Sequence, residues 1–337
     1  MVGLSASLKP GQLRREMLCG EPVLLARAKD GTAFALRDIC PHRAAPLSAG
    51  QIIGNEVECP YHGWRFKPDG ACAHIPSILQ DQDFDIGRIR VAPYACREQD
   101  GLLWVYLPAE GAKSQSIEDP PRIPIGAANG AAKPQFVETS LFPCELDHAV
   151  VGLMDPAHGP FVHRAWWWRT KGSIHAKAKH HIASKRGFTM VGHKPSSNSF
   201  AYKLLGGGLT TEIRFELPGL RFEHIRAGAR EVVGFTAVTP WDAERTLVTQ
   251  VFYWTMPWLS LLKPLVRPFV RTFLDQDRKI VELQNEGLKF SPPQMLIQDA
   301  DVPAMWYHRL KKAWAQSVAD GTPFENPVRE RTLHWRS

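Results

Sequence analysis

Several features are missing from this chain of 337 residues, and each absence narrows its possible functions. The first residues, Met1 to Cys19, lack the charged-then-apolar layout of a signal peptide, so we expect a cytoplasmic protein. No apolar run approaches the length of a membrane span, and the longest candidate, Val251 to Leu262, ends at Lys263. Basic residues are scattered and no nucleic-acid-binding motif is present, which speaks against a nucleic-acid partner.

Motifs for common cofactors are also missing. No Gly-x-Gly-x-x-Gly follows a strand, so we do not expect NAD(P)H or flavin to bind in that common way. Covalent haem would need Cys-x-x-Cys-His, which is absent. There are only six cysteines, and without an export signal they favour metal ligation or buried thiols over disulfides. Four of them lack ligand-like neighbours and are interpreted as small core residues: Cys19, Cys72, Cys96 and Cys144.

The composition predicts a globular protein of about two domains. Apolar residues make up 44% and charged residues 22% of the chain. The net charge of +7 is compatible with an anionic substrate, an acidic redox partner or an anionic membrane surface. Residues 109–134 are rich in Pro, Gly, Ala and Ser, which predicts a linker between a domain at 1–108 and a second at 135–337.

Local patterns predict strands in the first domain and both strands and helices in the second. The strands predicted in the first are Pro22–Ala26, Ala33–Leu36, Glu56–Cys59 and Leu102–Tyr106. In the second, the predicted strands are Leu209–Phe215, Glu231–Thr239 and Arg245–Trp254, and the predicted helices are Cys144–Met154, Pro268–Leu288 and Val302–Val318.

The first candidate site combines two short motifs. Cys40-Pro41-His42 and Cys59-Pro60-Tyr61-His62-Gly63 each offer one thiolate and one imidazole. A Rieske [2Fe–2S] cluster needs this set, because two cysteines hold one iron and two histidines hold the other. A structural zinc site is the alternative, but it would more often pair Cys with Cys and His with His along the chain.

A second candidate site begins with a pair of histidines, His158 and His163. Five helical residues turn about 140° past alignment, so we expect Gly159-Pro160 to break the helix and let both rings converge. Taken alone this pair is a weak signal, and two surface histidines or a zinc site remain alternatives.

The third ligand is sought on the helix predicted at Pro268–Leu288. Asp277 lies on its apolar stripe, between Leu274 and Val281, where a carboxylate is costly unless it binds a metal or a partner. Asp275 lies off the stripe and is the weaker candidate. Two histidines and one carboxylate with open positions are the ligands of non-haem Fe(II) oxygenases.

With both sites, the chain resembles the oxygenase α-subunits of Rieske non-haem iron oxygenases, in the monooxygenase and O-demethylase branch that includes vanillate and dicamba demethylases. The similarity runs from about Leu18 to about Lys312. It is carried by Cys40 to Trp64, by Leu153-Met154-Asp155 through His163, and by Gln276-Asp277-Arg278.

The resemblance implies an α+β fold, with an all-β Rieske domain followed by a catalytic domain that has a curved, helix-grip-like antiparallel sheet and helices. It also implies a head-to-tail homotrimer. In such a trimer Asp155 would bridge His62 of a neighbouring subunit and the iron ligand His158. The alternative is that Asp155 only ends a helix. Relatives commonly carry Asp-Asn where this chain has Val151-Gly152, so we expect a roomier pocket, with His148 as a possible substitute polar group.

The implied function is that of a terminal oxygenase which uses O2 and electrons from a separate NAD(P)H-dependent reductase, with or without a ferredoxin. The alternatives are an electron-transfer protein of the Rieske type, or a zinc hydrolase or lyase. Hydroxylation, demethylation and desaturation stay open, as do aromatic and lipophilic polycyclic substrates. Trp166-Trp167-Trp168 could line an apolar pocket or fill the core.

The segment 254–273 suggests a further contact. It interleaves apolar residues with Lys263, Arg267 and Arg271 at four-residue steps, a pattern that can lie on a membrane surface. A helix packed on the core with a solvated basic face is the favoured alternative.

Overall fold

The computed structural model describes residues 1–79, 81–108, 117–126, 132–163, 174–195 and 205–337. It divides into two compact units, residues 1–122 and 123–337. The division falls inside the segment predicted as a linker, whose described parts belong to both units. The Gln99 side chain binds Pro120 O in the first unit, and Gly126 N donates to Glu231 in the second. The assignment of 109–134 as a linker stays a prediction.

The first unit contains two antiparallel sheets. The larger has six strands in the order β1-β10-β9-β4-β3-β2, and the smaller has four in the order β5-β6-β7-β8. Their bounds are β1 Gly3–Leu4, β2 Leu13–Leu18, β3 Glu21–Arg27, β4 Ala33–Arg37, β5 Gln51–Ile53, β6 Glu56–Glu58, β7 Arg65–Phe66, β8 Cys72–His74, β9 Pro93–Gln99 and β10 Leu102–Tyr106. Fully buried side chains such as Leu24, Leu36 and Phe66 fill the cluster that supports the smaller sheet.

The cysteine interpretation holds in part. Cys72 and Cys144 are buried and Cys96 is half-buried, but Cys19 is exposed, so its assignment to the core was wrong. Cys19 and Gly20 form the two-residue turn between β2 and β3, with φ of 54° and 79°. Such a hairpin turn needs positive φ at both positions and points its side chains to solvent.

The second unit is built on one antiparallel sheet of eight strands, in the order β11-β17-β16-β15-β14-β13-β12-β18. The strands are β11 Phe136–Phe142, β12 Ala176–Ser184, β13 Gly187–His193, β14 Thr210–Glu216, β15 Leu220–Ala227, β16 Arg230–Pro240, β17 Thr246–Trp254 and β18 Arg331–Arg336. The α-helices that lie wholly within the described residues are α1 Leu146–Met154, α2 Gly159–Val162, α3 Pro257–Leu261, α4 Lys263–Leu288 and α5 Val302–Asp320.

Two apolar clusters join the helices to one face of this sheet. In one, Leu274 and Val281 of α4 and Tyr307 of α5 share a cluster with Phe215 of β14. In the other, Val266 and Val270 of α4 belong with sheet residues that include Ile225. Helix α4 therefore lies over the sheet along much of its length. The predicted α+β fold with an antiparallel sheet is confirmed.

The start of helix α4 differs from the prediction. Helix α4 begins at Lys263 and contains Pro268, where the prediction began it. Packing of Val266 and Val270 on the sheet holds this first part helical despite the proline. In the parts of the chain that the structure describes, no helix has the length and apolar character needed to cross a membrane.

Candidate metal centres

The Cys/His motifs occupy two tight loops of the first unit. The loop after β4 closes with Cys40 N donating to Ala45 O at 2.9 Å, and the loop between β6 and β7 closes with Cys59 N donating to Trp64 O at 2.8 Å. Gly63 has a φ of +70°, which a residue with a side chain rarely adopts. Short backbone-bonded loops of this kind hold their side chains without help from distant parts of the chain.

The two thiols are buried together and the two imidazoles lie side by side. Cys40 and Cys59 are 2% and 3% exposed, and burial raises the pKa of the Cys40 thiol to about 11. The ring centroids of His42 and His62 are 4.5 Å apart. His42 Nδ1 is buried and has no hydrogen-bond partner among the described residues, an arrangement that is costly without a ligand.

The four donor side chains of this site form two separate pairs and do not converge on a single point. Among the described residues, three donor atoms of His, Cys, Asp or Glu converge within 4.8 Å only at His158, His163 and Asp277. Two thiols on one side and two imidazoles on the other suit a cluster with two irons. Trp64 stacks on His42 at 4.5 Å and also lines a cavity of about 380 Å³.

The two histidines of the second unit flank helix α2, a single turn. His158 is its N-cap, and His163 follows it with a φ of −90° and a ψ of 69°, outside the helix. The predicted break at Gly159-Pro160 was therefore misplaced, because α1 ends at Met154, with Asp155 as its C-cap, and the turn between the histidines is helical. The rings still converge, with 3.2 Å between the two Nε2 atoms, because His163 leaves the helical path.

Asp277 of α4 completes the group. Its Oδ1 lies 3.3 Å from His163 Nε2 and 3.7 Å from His158 Nε2. His163 is buried, and the side chain of Asp277 is 18% exposed. Asp275, the other candidate carboxylate, is about half exposed and pairs with Arg278 instead. The three donor atoms converge as ligands of one metal ion do.

Burial and charge oppose each other at this group. Burial raises the pKa of Asp277 to about 6, against the effects of His158 and Arg221. Burial acts to lower the pKa of His158, but the bond to Asp155 and the charge of Asp277 leave it raised. A divalent cation would relieve this conflict, because it favours the carboxylate and the neutral imidazoles.

Contacts at the Nδ1 atoms orient both histidine rings. His158 Nδ1 lies 2.8 Å from Asp155 O and 3.6 Å from its carboxylate. His163 Nδ1 donates to Gln276 Oε1 at 3.0 Å, and the ring stacks on Phe273 at 3.5 Å. These contacts direct each Nε2 toward the common point. Neither Gln276 nor Phe273 was predicted to orient a ligand, although both lie within one helical turn of Asp277.

Other predicted residues have different outcomes. Trp166, Trp167 and Trp168 lie outside the described residues. His148 is half-buried on α1 and is not among the three convergent donors. A Cβ atom at Gly152 would meet nothing within 4 Å. The roomier pocket expected there stays a prediction.

The arginines of the basic stripe at 254–273 are exposed, 49% for the side chain of Arg267 and 67% for that of Arg271, but both pair with one carboxylate. Arg267 and Arg271 both bind Glu138, at 2.6 and 3.2 Å, and Glu138 is only 5% exposed. Lys263 lies 5.9 Å from the centre of the Trp254 ring. Apolar residues of this segment are also exposed: Trp258, Leu261, Leu265 and Phe269 are 40%, 82%, 65% and 44% exposed.

Two family models match the chain. Residues 1–91 match the Rieske [2Fe-2S] domain, and residues 152–317 match the vanillate O-demethylase oxygenase C-terminal domain. Together they cover both candidate centres.

Individual relatives have related names. Chlorophyllide a oxygenase of Chlamydomonas reinhardtii is 35% identical over 165 residues, which are 49% of this chain and 24% of that protein. The oxygenase component of dicamba O-demethylase from Stenotrophomonas maltophilia is 35% identical over 145 residues, 43% of this chain and 40% of that one. The matches span between 24% and 54% of the first three relatives' own lengths.

Solved structures share the fold over almost the whole chain. Dicamba monooxygenase bound to dicamba superimposes with a TM-score of 0.70 at 20% identity, covering 93% of this chain and 96% of that one. At this identity the agreement concerns the fold alone.

Proposed function

Because the chain belongs to the Rieske oxygenase family, with both of its characteristic domains, we propose that it is the terminal oxygenase component of a multicomponent monooxygenase. The observation that carries the proposal is the coexistence of two centres of different type. One is a Cys/His site in a Rieske domain, and the other is the convergence of His158, His163 and Asp277. An electron carrier has no use for the second centre.

In this proposal Cys40 and Cys59 hold one iron of a [2Fe–2S] cluster, and His42 and His62 hold the other. The buried thiols and the unpartnered Nδ1 of His42 support this assignment. His62 is exposed, so the edge of the cluster that it would hold faces the surface, where a redox partner can approach.

His158, His163 and Asp277 would hold a mononuclear iron, leaving positions open for O2 and substrate. When bound, the two groups supply electron transfer and O2 activation. The chain's own residues place and orient the ligands. Gln276 and Asp155 fix the rings, and Phe273 covers one face of His163.

The electron source is a separate NAD(P)H-dependent reductase, directly or through a ferredoxin, because the chain has no dinucleotide motif of its own. We further propose a head-to-tail homotrimer in which Asp155 links His158 to His62 of a neighbouring subunit. Asp155 supports this role because its carboxylate lies close to His158. Burial acts to raise the pKa of Asp155, but bonds to His158 and Ala157 lower it and keep it charged.

Metal analysis with turnover tests the proposal. The purified chain should be brown and hold about three irons, two in the cluster and one in the second site. With a reductase, NADH and a substrate panel it should consume O2 and give oxidised products by mass spectrometry. A protein with the cluster but no third iron and no O2 uptake would be an electron carrier. One that holds only zinc would be neither.

Ligand variants locate each centre separately. Cys40→Ser or Cys59→Ser should remove the visible spectrum, because thiolate ligation contributes to folding of that site. Asp277→Ala should keep the spectrum and lose the third iron, since the two centres lie in separate units. Full third-iron occupancy in Asp277→Ala would move the ligand to Asp275 or elsewhere.

The names of the relatives suggest the general class of substrate. We propose an aromatic or lipophilic polycyclic substrate, as the names of the dicamba and chlorophyllide relatives suggest. Hydroxylation and O-demethylation both fit the proposed centre, and product analysis distinguishes them.

We also propose a peripheral contact through the segment 254–273, in which the apolar residues Leu261, Leu265 and Phe269 take part together with the basic stripe. Their exposure at four-residue steps along α3 and α4 supports a contact with a lipid surface or another apolar surface. Flotation with uncharged vesicles tests it. Leu261→Ser with Leu265→Ser should abolish binding, whereas wild-type protein that stays unbound would end the lipid version.

A further inference from the structure

A polar gap interrupts the apolar contact between helix α4 and the sheet. Side chains alternate along β15, so Arg221, Glu223 and Ile225 share one face. Ile225 belongs to the cluster that contains Val266 and Val270 of α4. Arg221 pairs across the sheet with Phe215, whose cluster contains Leu274 of the same helix. Arg221 and Glu223 therefore lie on the helix-covered face, between the two clusters.

This gap adjoins the proposed iron site. It lies beneath the part of α4 between Val270 and Leu274, one turn before Asp277. The positive charge of Arg221 also acts on Asp277, although burial is the larger influence on the pKa of that carboxyl and raises it. A ligand that reaches Arg221 would thus lie near the position where chemistry is proposed.

One strand residue in the middle of the gap has no side chain. Gly234 of β16 pairs with Glu223, and a Cβ atom built on it would meet only the Phe252 ring, at 3.7 Å. Thr211 of β14 pairs with Ile225, which lies two positions from Glu223 on β15, so Thr211 is on the same face. It is 2% exposed, and its Oγ1 has no hydrogen-bond partner among the described residues. A glycine floor and an unpartnered hydroxyl suit a ligand better than a packed core.

The guanidinium of Arg221 has N–H donors left over for an anion. Arg221 binds Glu223 at 3.0 Å, and both side chains are about a quarter exposed. A guanidinium has five N–H donors in a planar fork, more than one carboxylate can use. Lys179 lies near the far end of the same face, and with Glu223 it modifies the pKa of His193, which burial lowers most. An Fe(II) ion held by two neutral imidazoles and one carboxylate would add a net positive charge.

We propose that Arg221 is the specificity-determining residue of the substrate pocket, and that it selects organic acids whose carboxylate replaces part of its contact with Glu223. This inference rests on the proposed oxygenase function and names the substrate class within it. The ring of the acid would lie over Gly234, between the two apolar clusters. Glu223 holds the guanidinium in place when no acid is bound.

The test compares acids with their neutral amides. Equilibrium dialysis of the iron-loaded protein would measure the affinities of anisate and naphthoate against anisamide and naphthamide. Wild-type protein should prefer each acid. Arg221→Gln should weaken acid binding by about tenfold to a hundredfold, the effect of losing a charge-assisted bond, and leave the amides within about twofold. Arg226→Gln is the matched control, because Arg226 lies exposed on the opposite face of β15.

A second variant separates recognition from damage to the fold. Glu223→Gln removes the competing carboxylate, so acid binding should tighten, a direction that misfolding cannot produce. The inference is overturned if the acids do not bind wild-type protein, if the amides bind as tightly, or if Arg221→Gln weakens both equally.

Failure of this inference and failure of the proposed function are distinguishable. An enzyme that holds three irons and oxidises only neutral substrates keeps the function and loses the role of Arg221. Arg221-dependent acid binding in a protein that takes up no O2 keeps the site and loses the oxygenase.

Discussion

Asp277 occupies a buried position that disfavours the charged form of its carboxyl group. Burial raises its pKa to about 6 from the ordinary value of 3.8, so in the metal-free protein the carboxylate destabilises the folded state. This penalty is absent below about pH 4, where the group is protonated in both states, and complete above about pH 6. In the proposed iron site, a bound metal ion would offset this penalty.

Asp277→Asn should therefore stabilise the metal-free protein while it removes iron. The expected gain at pH 8 is about 1–3 kcal/mol in free energy of unfolding, and about half of it should be lost at pH 5. Urea denaturation of chelated protein at both pH values measures it. Asp275→Asn, at a half-exposed position on the same helix, is the control. A destabilised Asp277→Asn protein at pH 8 would contradict the argument.

Gln276 orients His163, one of the proposed metal ligands. Its Oε1 accepts from His163 Nδ1 at 3.0 Å, which fixes the tautomer that presents Nε2 to the metal. Gln276→Leu should lower iron affinity by about tenfold to a hundredfold, measured by competition with a chelator. Gln284→Leu, exposed on the same helix, should leave it unchanged. Equal affinities in both variants would remove Gln276 from the site.

At the scale of the element, α4 is fastened to the sheet by Glu138 of β11. This buried carboxylate accepts from Arg267 and Arg271 and so neutralises part of the charge of these two exposed cations. Glu138→Gln should cost about 1–2 kcal/mol in unfolding free energy and increase binding to anionic vesicles as both arginines are released. Glu244→Gln, exposed in the β16–β17 turn, should change neither quantity. Weaker vesicle binding in Glu138→Gln would contradict this account.

Elements with a local signal could be predicted, and those that depend on distant contacts could not. Strand β10, Leu102–Tyr106, carries its own apolar pattern and was predicted with its bounds. Strand β12, Ala176–Ser184, alternates alanine with lysine and histidine and is a strand because it pairs with β13 and β18. The extension of α4 through Pro268 likewise depends on the sheet beneath it.

The same distinction applies to the candidate sites. Cysteine and histidine motifs within short loops are visible in the sequence because each loop holds its own ligand pair. Asp277 could be proposed from the helical stripe alone. The Arg221–Glu223 gap could not, because it exists only where β15 lies under α4, and neither segment signals the other.

At the scale of the whole molecule, function is proposed to need more than one chain. A Cys40→Ser chain lacks the cluster and an Asp277→Ala chain lacks the catalytic iron, so each should be inactive alone. Mixed oligomers should recover turnover, because an intact cluster on one subunit can serve an intact iron on its neighbour. Native mass spectrometry should detect trimers that contain both variants, and another oligomeric state would contradict the proposed trimer.

The single variant Asp155→Asn completes that experiment. It should keep both metal centres filled and slow product formation sharply if Asp155 links subunits. Mixed trimers that stay inactive, or an Asp155→Asn enzyme of normal rate, would point to electron transfer within one chain.

His163 and Asp277 are far apart along the chain, yet they approach within 3.3 Å. An ion bound between them acts as a removable cross-link that closes a loop of more than a hundred residues, with the entropic benefit that such closure gives. The iron would then stabilise the position of α4 in addition to its role in the reaction. Chelation should accelerate amide hydrogen exchange in α2 and in the middle of α4, while the strands of the first unit keep their protection.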